Sequence, residues 1–149
     1  MTRGKWAAVI MAVVVLATPI IALVRWRIPP SPEALKTQLS SKRPELLALV
    51  QLMRESRRDD FLLSDEHARA QMESAGVMRV LRRGEVVELQ VWAFGFPGTD
   101  TARGFVWSPA PLPNEFACIS SSCFPANFTP KRWERVHERV DAEWAIFAF

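Results

Sequence analysis

The chain has no tyrosine, and among its 149 residues it has only two cysteines, two histidines and six glycines. Each scarcity narrows the chemistry. Two cysteines without nearby histidines make a poor zinc site, because structural zinc takes four nitrogen or sulfur ligands. His67 and His137 are far apart in sequence, nothing in their spacing brings them together, and both read as solvated surface side chains. A phosphate-cradling glycine loop is missing: residues 95–98 read Gly-Phe-Pro-Gly, with a proline inside and no Lys-Ser or Lys-Thr after them. Ser120, Ser121 and Ser122 lack the glycine flanks of a nucleophile elbow. The pair Asp59-Asp60 reads as a solvated loop, and Asp65-Glu66 is accounted for by the favourable field at a helix N-terminus. No residue is nominated as catalytic, cofactor-binding or metal-ligating.

An excess of charge of either sign is also missing from most of the chain. The formal charge of +3 is carried by Arg3, Lys5, Arg25 and Arg27, which flank the N-terminal apolar run. Setting those four aside leaves 15 basic residues against 16 acidic ones. That balance offers no electrostatic footprint for a phosphate backbone, so nucleic-acid binding is not expected.

What the chain does have is a long apolar run. Residues 6–24 carry no charge over 19 positions, and a helix of that length spans roughly 28 Å, close to the hydrocarbon thickness of a bilayer. Trp6 and Trp26 bracket the run with the four cations just outside, where interfacial aromatics and snorkelling side chains belong. A cleaved signal peptide is the competing reading, since Pro19 would break a helix near a processing site. The run exceeds the usual h-region, however, and no Ala-x-Ala site precedes Arg25. The expectation is therefore a basic flank (1–5), a single-pass signal anchor (6–24) in the inner membrane, a proline-rich linker and short helix (25–40), and an extracytoplasmic domain (41–149). Secretion after cleavage is the alternative.

Cys118 and Cys123 fit that address. An even cysteine count outside the cytoplasm favours a disulfide, here closing a loop so short that it contributes about 2 kcal/mol. A redox-active pair would more typically stand two residues apart at a helix N-terminus.

The pattern of the remaining chain predicts an α+β fold, with two or three helices on an antiparallel sheet of four or five strands. The collar Ile28-Pro29-Pro30-Ser31-Pro32 should act as a semi-rigid spacer that stands the domain off. A short helix follows it to Leu39. A second helix is predicted over about 43–56, with Ser41 as its cap and Leu46, Leu47, Leu49, Val50 and Met53 as its apolar face. A third should run from Ser64 to Gly76. Strands are then predicted over 77–82 and 85–94, joined at Arg83-Gly84, and over 104–107. Residues 108–130 read as a long loop, and the C-terminal segment as strand, turn, strand.

All nine phenylalanines and four of the six tryptophans lie beyond residue 60. Trp92, Phe94, Phe105, Trp107 and Trp144 cluster on predicted strands. Because strands alternate faces, these rings cannot all enter one core, and they are candidates for an aromatic recognition surface.

The membrane segment, the Leu-rich helix, Gly104-Phe105-Val106-Trp107-Ser108-Pro109 and Glu143-Trp144-Ala145-Ile146-Phe147 together resemble a diffuse group of small bacterial envelope proteins of unknown function. The resemblance implies that the Gly-aromatic strand lies near the C-terminal Trp-aromatic strand, and it brings no activity. The functional expectation is a non-catalytic, membrane-tethered binding module with a protein or cell-wall partner. An envelope enzyme is the alternative, either a thiol–disulfide exchanger at Cys118 and Cys123 or a hydrolase whose residues meet only in the fold.

Overall fold

The computed structural model describes residues 28–94, 101–110 and 136–148. The apolar run at 6–24 and both cysteines lie outside them, and among the described residues no helix is long and apolar enough to cross a membrane. Three helices and six strands follow in the order α1 (Pro32–Ser41), α2 (Arg43–Glu55), β1 (Asp60–Leu62), α3 (Glu66–Ala75), β2 (Arg79–Arg83), β3 (Val86–Phe94), β4 (Thr101–Trp107), β5 (Val136–Arg139) and β6 (Trp144–Ala148). The sheet runs β1-β2-β3-β4-β6-β5 with every pairing antiparallel. It is an α+β fold with one strand more than the upper count expected from the sequence.

The helices begin and end for local reasons. Ser31 caps α1, its hydroxyl accepting the Ala34 N–H at 3.2 Å, and Pro32 follows in the first turn, where its missing N–H costs nothing. Leu35 and Leu39 of α1, a helix grouped with the collar on sequence grounds, are fully buried in the core. α2 starts without the predicted Ser41 cap: Lys42 holds that position, and the Ser41 hydroxyl donates back to the Gln38 carbonyl. α3 ends at Gly76, whose φ of +71° suits only a residue without Cβ. Gly76 N–H then donates to the Glu73 carbonyl and Val77 N–H to that of Met72, satisfying two carbonyls at the helix end.

One face of the sheet carries the main core. Phe61, Val80, Val87, Leu89, Phe105, Trp107, Trp144, Ile146 and Ala148 meet Leu35, Leu39, Leu46, Leu49, Met53, Ala68 and Met72 from the helices. The opposite face holds a smaller cluster of Ala102, Val106, Ala145 and Phe147. Trp107 pairs directly with Trp144, and Gly104 with Phe147, so the Gly-aromatic and Trp-aromatic strands are immediate neighbours.

Two features depart from the sequence reading. Asp59-Asp60 is not a free loop, because Asp60 opens the edge strand β1, which pairs with β2. The β2–β3 turn is Gly84-Glu85 rather than Arg83-Gly84, and the positive φ of Gly84 (+62°) is what fixes it there. The outer rim of β1 is closed at Leu62 by its own chain: Leu62 N–H donates to the Asp65 carboxylate at 2.7 Å, and the Leu62 carbonyl accepts the Asp65 N–H at 2.9 Å. The Leu62 N–H and the Arg58 guanidinium hold the Asp65 carboxyl below its ordinary value.

Asp141 organises the β5–β6 turn. One of its oxygens accepts the N–H groups of Glu143 and Trp144, both at 2.9 Å, while Arg43 at the start of α2 pairs with the other at 2.8 Å. Partial burial alone would raise this carboxyl, but the two backbone donors and the guanidinium outweigh it and leave the group below the usual carboxylate value. The unfolded chain therefore binds this proton more tightly than the folded one. The stability that Asp141 contributes is complete above the ordinary aspartate value of about 4 and is lost as the pH falls through and below it. Asp141→Asn should flatten the acid limb of a stability–pH curve and leave its slope near neutrality unchanged, as measured by thermal midpoints across the range.

Candidate interaction surface

Strand alternation and register decide which of the nominated aromatics are available. Phe105, Trp107 and Trp144 point at the helices and are buried, with exposures of 0%, 6% and 1%. They are core residues and do not form a recognition surface; the reason is that β4 and β6 turn these three positions toward the same, helix-covered side, while Phe147 faces the other way. Trp92 is half-buried and stands opposite Arg103 in the β3–β4 pairing, past a shift in register between Gln90 and Trp92. The Phe94 side chain, like Cys118 and Cys123, lies outside what is described.

The face opposite the helices can be followed row by row. One row crosses the sheet through Leu62, Arg79, Gln90, Gly104, Phe147 and His137, and the next through Asp60, Leu81, Glu88, Val106, Ala145 and Arg139. Its central part is closed to solvent, with Glu88, Gln90 and His137 buried beside the small apolar cluster. His137 is thus not the solvated side chain expected; it packs beside the Phe147 ring at 6.2 Å. At about 4.8 Å per strand, Gln90 and His137 are roughly 14 Å apart, too far for one to position the other in acid–base work. His67 is exposed on α3.

Toward β1 the same face opens. Leu62 is 44% exposed, and Leu81 and Val86 are half-buried, so the three side chains form a diagonal across β1, β2 and β3. Two ion pairs cross that diagonal. Arg79 grips Asp60 with two bonds of 3.0 and 2.6 Å, and Arg83 meets the buried Glu88 carboxylate at 3.2 Å. The result is a small apolar strip flanked by paired charges. Apart from Asp60, read as part of a solvated loop, none of these residues stands out in the sequence, because Arg79-Val80-Leu81-Arg82-Arg83 lacks a clean apolar–polar alternation. The only signal was the mixed charge of β2 against the two aspartates.

Arg82, on the helix side of β2, has a different task. Its Nη1 donates to the Met53 and Ser56 carbonyls at 3.2 and 3.1 Å, at the end of α2, and its Nε binds Asp59 at 2.8 Å. A guanidinium that serves orphan helix carbonyls and a carboxylate together ties α2 to the sheet. Arg82→Ala should cost about 2 kcal/mol, and Arg82→Lys should recover less than half, since an ammonium cannot reproduce the fork. Urea midpoints of the two variants check this.

A shallow trough of ≈ 580 Å³ lies between α1 and the end of α3, where Gln38 Nε2 donates to the Ala75 carbonyl at 3.0 Å. Its lining is of small and polar side chains with Lys42 and Glu73. Among the described residues no three His, Cys, Asp or Glu side chains are grouped to hold a metal ion.

No protein-family model matches the chain, and neither the curated proteins nor the solved structures yield a match.

Proposed function

We propose that this chain is a non-catalytic interaction module of the cell envelope, tethered by its apolar segment at 6–24, and that it engages a protein partner through the open part of the sheet around Leu62, Leu81 and Val86. The observation that carries this reading is the diagonal of Leu62, Leu81 and Val86, exposed at Leu62 and half-buried at the other two, whose neighbouring charges are already paired. Such a surface recognises a partner by shape and apolar contact, and its charges supply the rim. Three further acids support the reading by what they do: Asp59 and Asp141 hold Arg82 and Arg43, and Glu138 holds Lys36, each joining one element to another.

The test uses the full chain in its native membrane, with a photo-crosslinking residue at Leu62 or Leu81 and a control at Glu55 on the exposed face of α2. A discrete adduct at the two leucines, absent at Glu55 and lost when the other leucine is changed to aspartate, supports the module. Identical patterns at all three positions sink it. The address is tested separately with a membrane-impermeant maleimide on intact cells. Labelling of Cys118 and Cys123 only after reduction supports an outward-facing domain with a disulfide, whereas labelling that needs lysis but no reduction removes the envelope reading.

A further inference from the structure

The collar does not hang free. Arg103, 5% exposed on β4, donates from Nη1 to the Pro30 carbonyl at 2.8 Å, and Pro32 is buried at the start of α1. Burial lowers the pKa of this guanidinium, because its charged form is withdrawn from water. The chain is thus gripped from Pro30 onward, at one end of the sheet. That end is defined by register: Arg103 pairs with Trp92 on one side and Ala148 on the other, while the Gly84-Glu85 turn, Ser108 and the Asp141 turn sit at the opposite end. β4 alone separates the two ends by about 20 Å at 3.3 Å per residue.

We infer that the Arg103–Pro30 contact holds the domain in one orientation over the bilayer, with the Trp92–Arg103 end of the sheet facing the lipid headgroups. The inference rests on the reading of residues 6–24 as an anchor. Five residues separate Val24 from Pro30, a reach of at most about 20 Å even when fully extended. A collar gripped at that end keeps it nearer than the opposite end to the point where the chain would leave the membrane. The segment between also suits a lipid surface: Arg25 and Arg27 match anionic headgroups, Trp26 suits the interface, and Ile28 is 61% exposed. Arg103 is a positioning residue in this scheme, and the partner of that end is the bilayer itself.

The test places a fluorescent probe on the full chain, with Cys118 and Cys123 changed to serine and a single cysteine introduced by Thr101→Cys or by Glu85→Cys. The chain is reconstituted in nanodiscs of phosphatidylcholine and phosphatidylglycerol carrying headgroup nitroxides. The probe at 101 is expected to be quenched several-fold more than the probe at 85. Inserting a flexible Gly/Ser segment between Arg27 and Ile28, which leaves every described contact intact, should erase the difference; Arg103→Met should reduce it. Equal quenching with the native collar, or a difference that survives the insertion, overturns the inference while the anchor stands. A chain that does not partition into the discs overturns the anchor reading and this inference with it.

Discussion

Gly104→Ala should be the most damaging single-methyl substitution in the domain. A Cβ at this position would lie 2.0 Å from the Leu89 carbonyl oxygen and 2.9 Å from its carbon, inside contact with backbone that no rotamer change can relieve. β3 and β4 would have to part at the centre of the sheet, next to the register shift between Gln90 and Trp92, and β4 also carries β6 on its other side. Overpacking a yielding core costs about 1–3 kcal/mol; here the obstacle is backbone, and a loss of at least about 3 kcal/mol is expected. Against a total stability of about 5–15 kcal/mol, that is enough to lower expression and shift the thermal midpoint by many degrees. Gly84→Ala is the control. Nothing lies within 4 Å of its would-be Cβ, so only the strain of its positive φ is felt, about 1–2 kcal/mol. Midpoints of similar size for the two variants would refute the close-approach argument.

Trp144→Ala should cost about 3–5 kcal/mol, the range for emptying an aromatic from a packed core. Trp144 is 1% exposed and pairs with Trp107 at the helix-facing centre of the sheet, so its loss opens a void bounded by two elements that cannot collapse together. The indole carries an unusual qualification: neither Trp144 Nε1 nor Trp107 Nε1 has a hydrogen-bond partner among the described residues. A buried donor without a partner is a liability, so Trp144→Phe should recover most of the loss, leaving a deficit of about 1–2 kcal/mol from reduced volume alone. Denaturation followed by circular dichroism separates the cases. If Trp144→Phe proves as harmful as Trp144→Ala, the N–H is engaged and the accounting is wrong.

The elements legible in the sequence are those where one local rule dominates. α2 has five aliphatic side chains at helical spacing, and the β2–β3 hairpin has a glycine at its turn. β1 is illegible because it is three residues long, opens on Asp60 and is preceded by Asp59; it exists through pairing with β2 and the grip of Arg79 and Arg82, which are distant in sequence. The aromatic positions misled for a different reason. β6 is buried at all five positions and β4 at six of seven, so both faces are covered and alternation no longer tells inside from outside. His137 fell to the same cause. The collar contact escaped because a buried arginine facing a proline carbonyl leaves no pattern in either local stretch.

The self-closed rim of β1 has a consequence for how copies of this chain meet. A bare sheet edge is a template on which a second strand can grow, and unprotected edges lead to fibres and swapped dimers. At Leu62 the outward donor and acceptor are already spent on Asp65, so an incoming backbone finds nothing there to bond. Crowding the molecules should therefore not zip them together at Leu62. Strong acid, by protonating Asp65, would weaken the bond to the Leu62 N–H and loosen that closure.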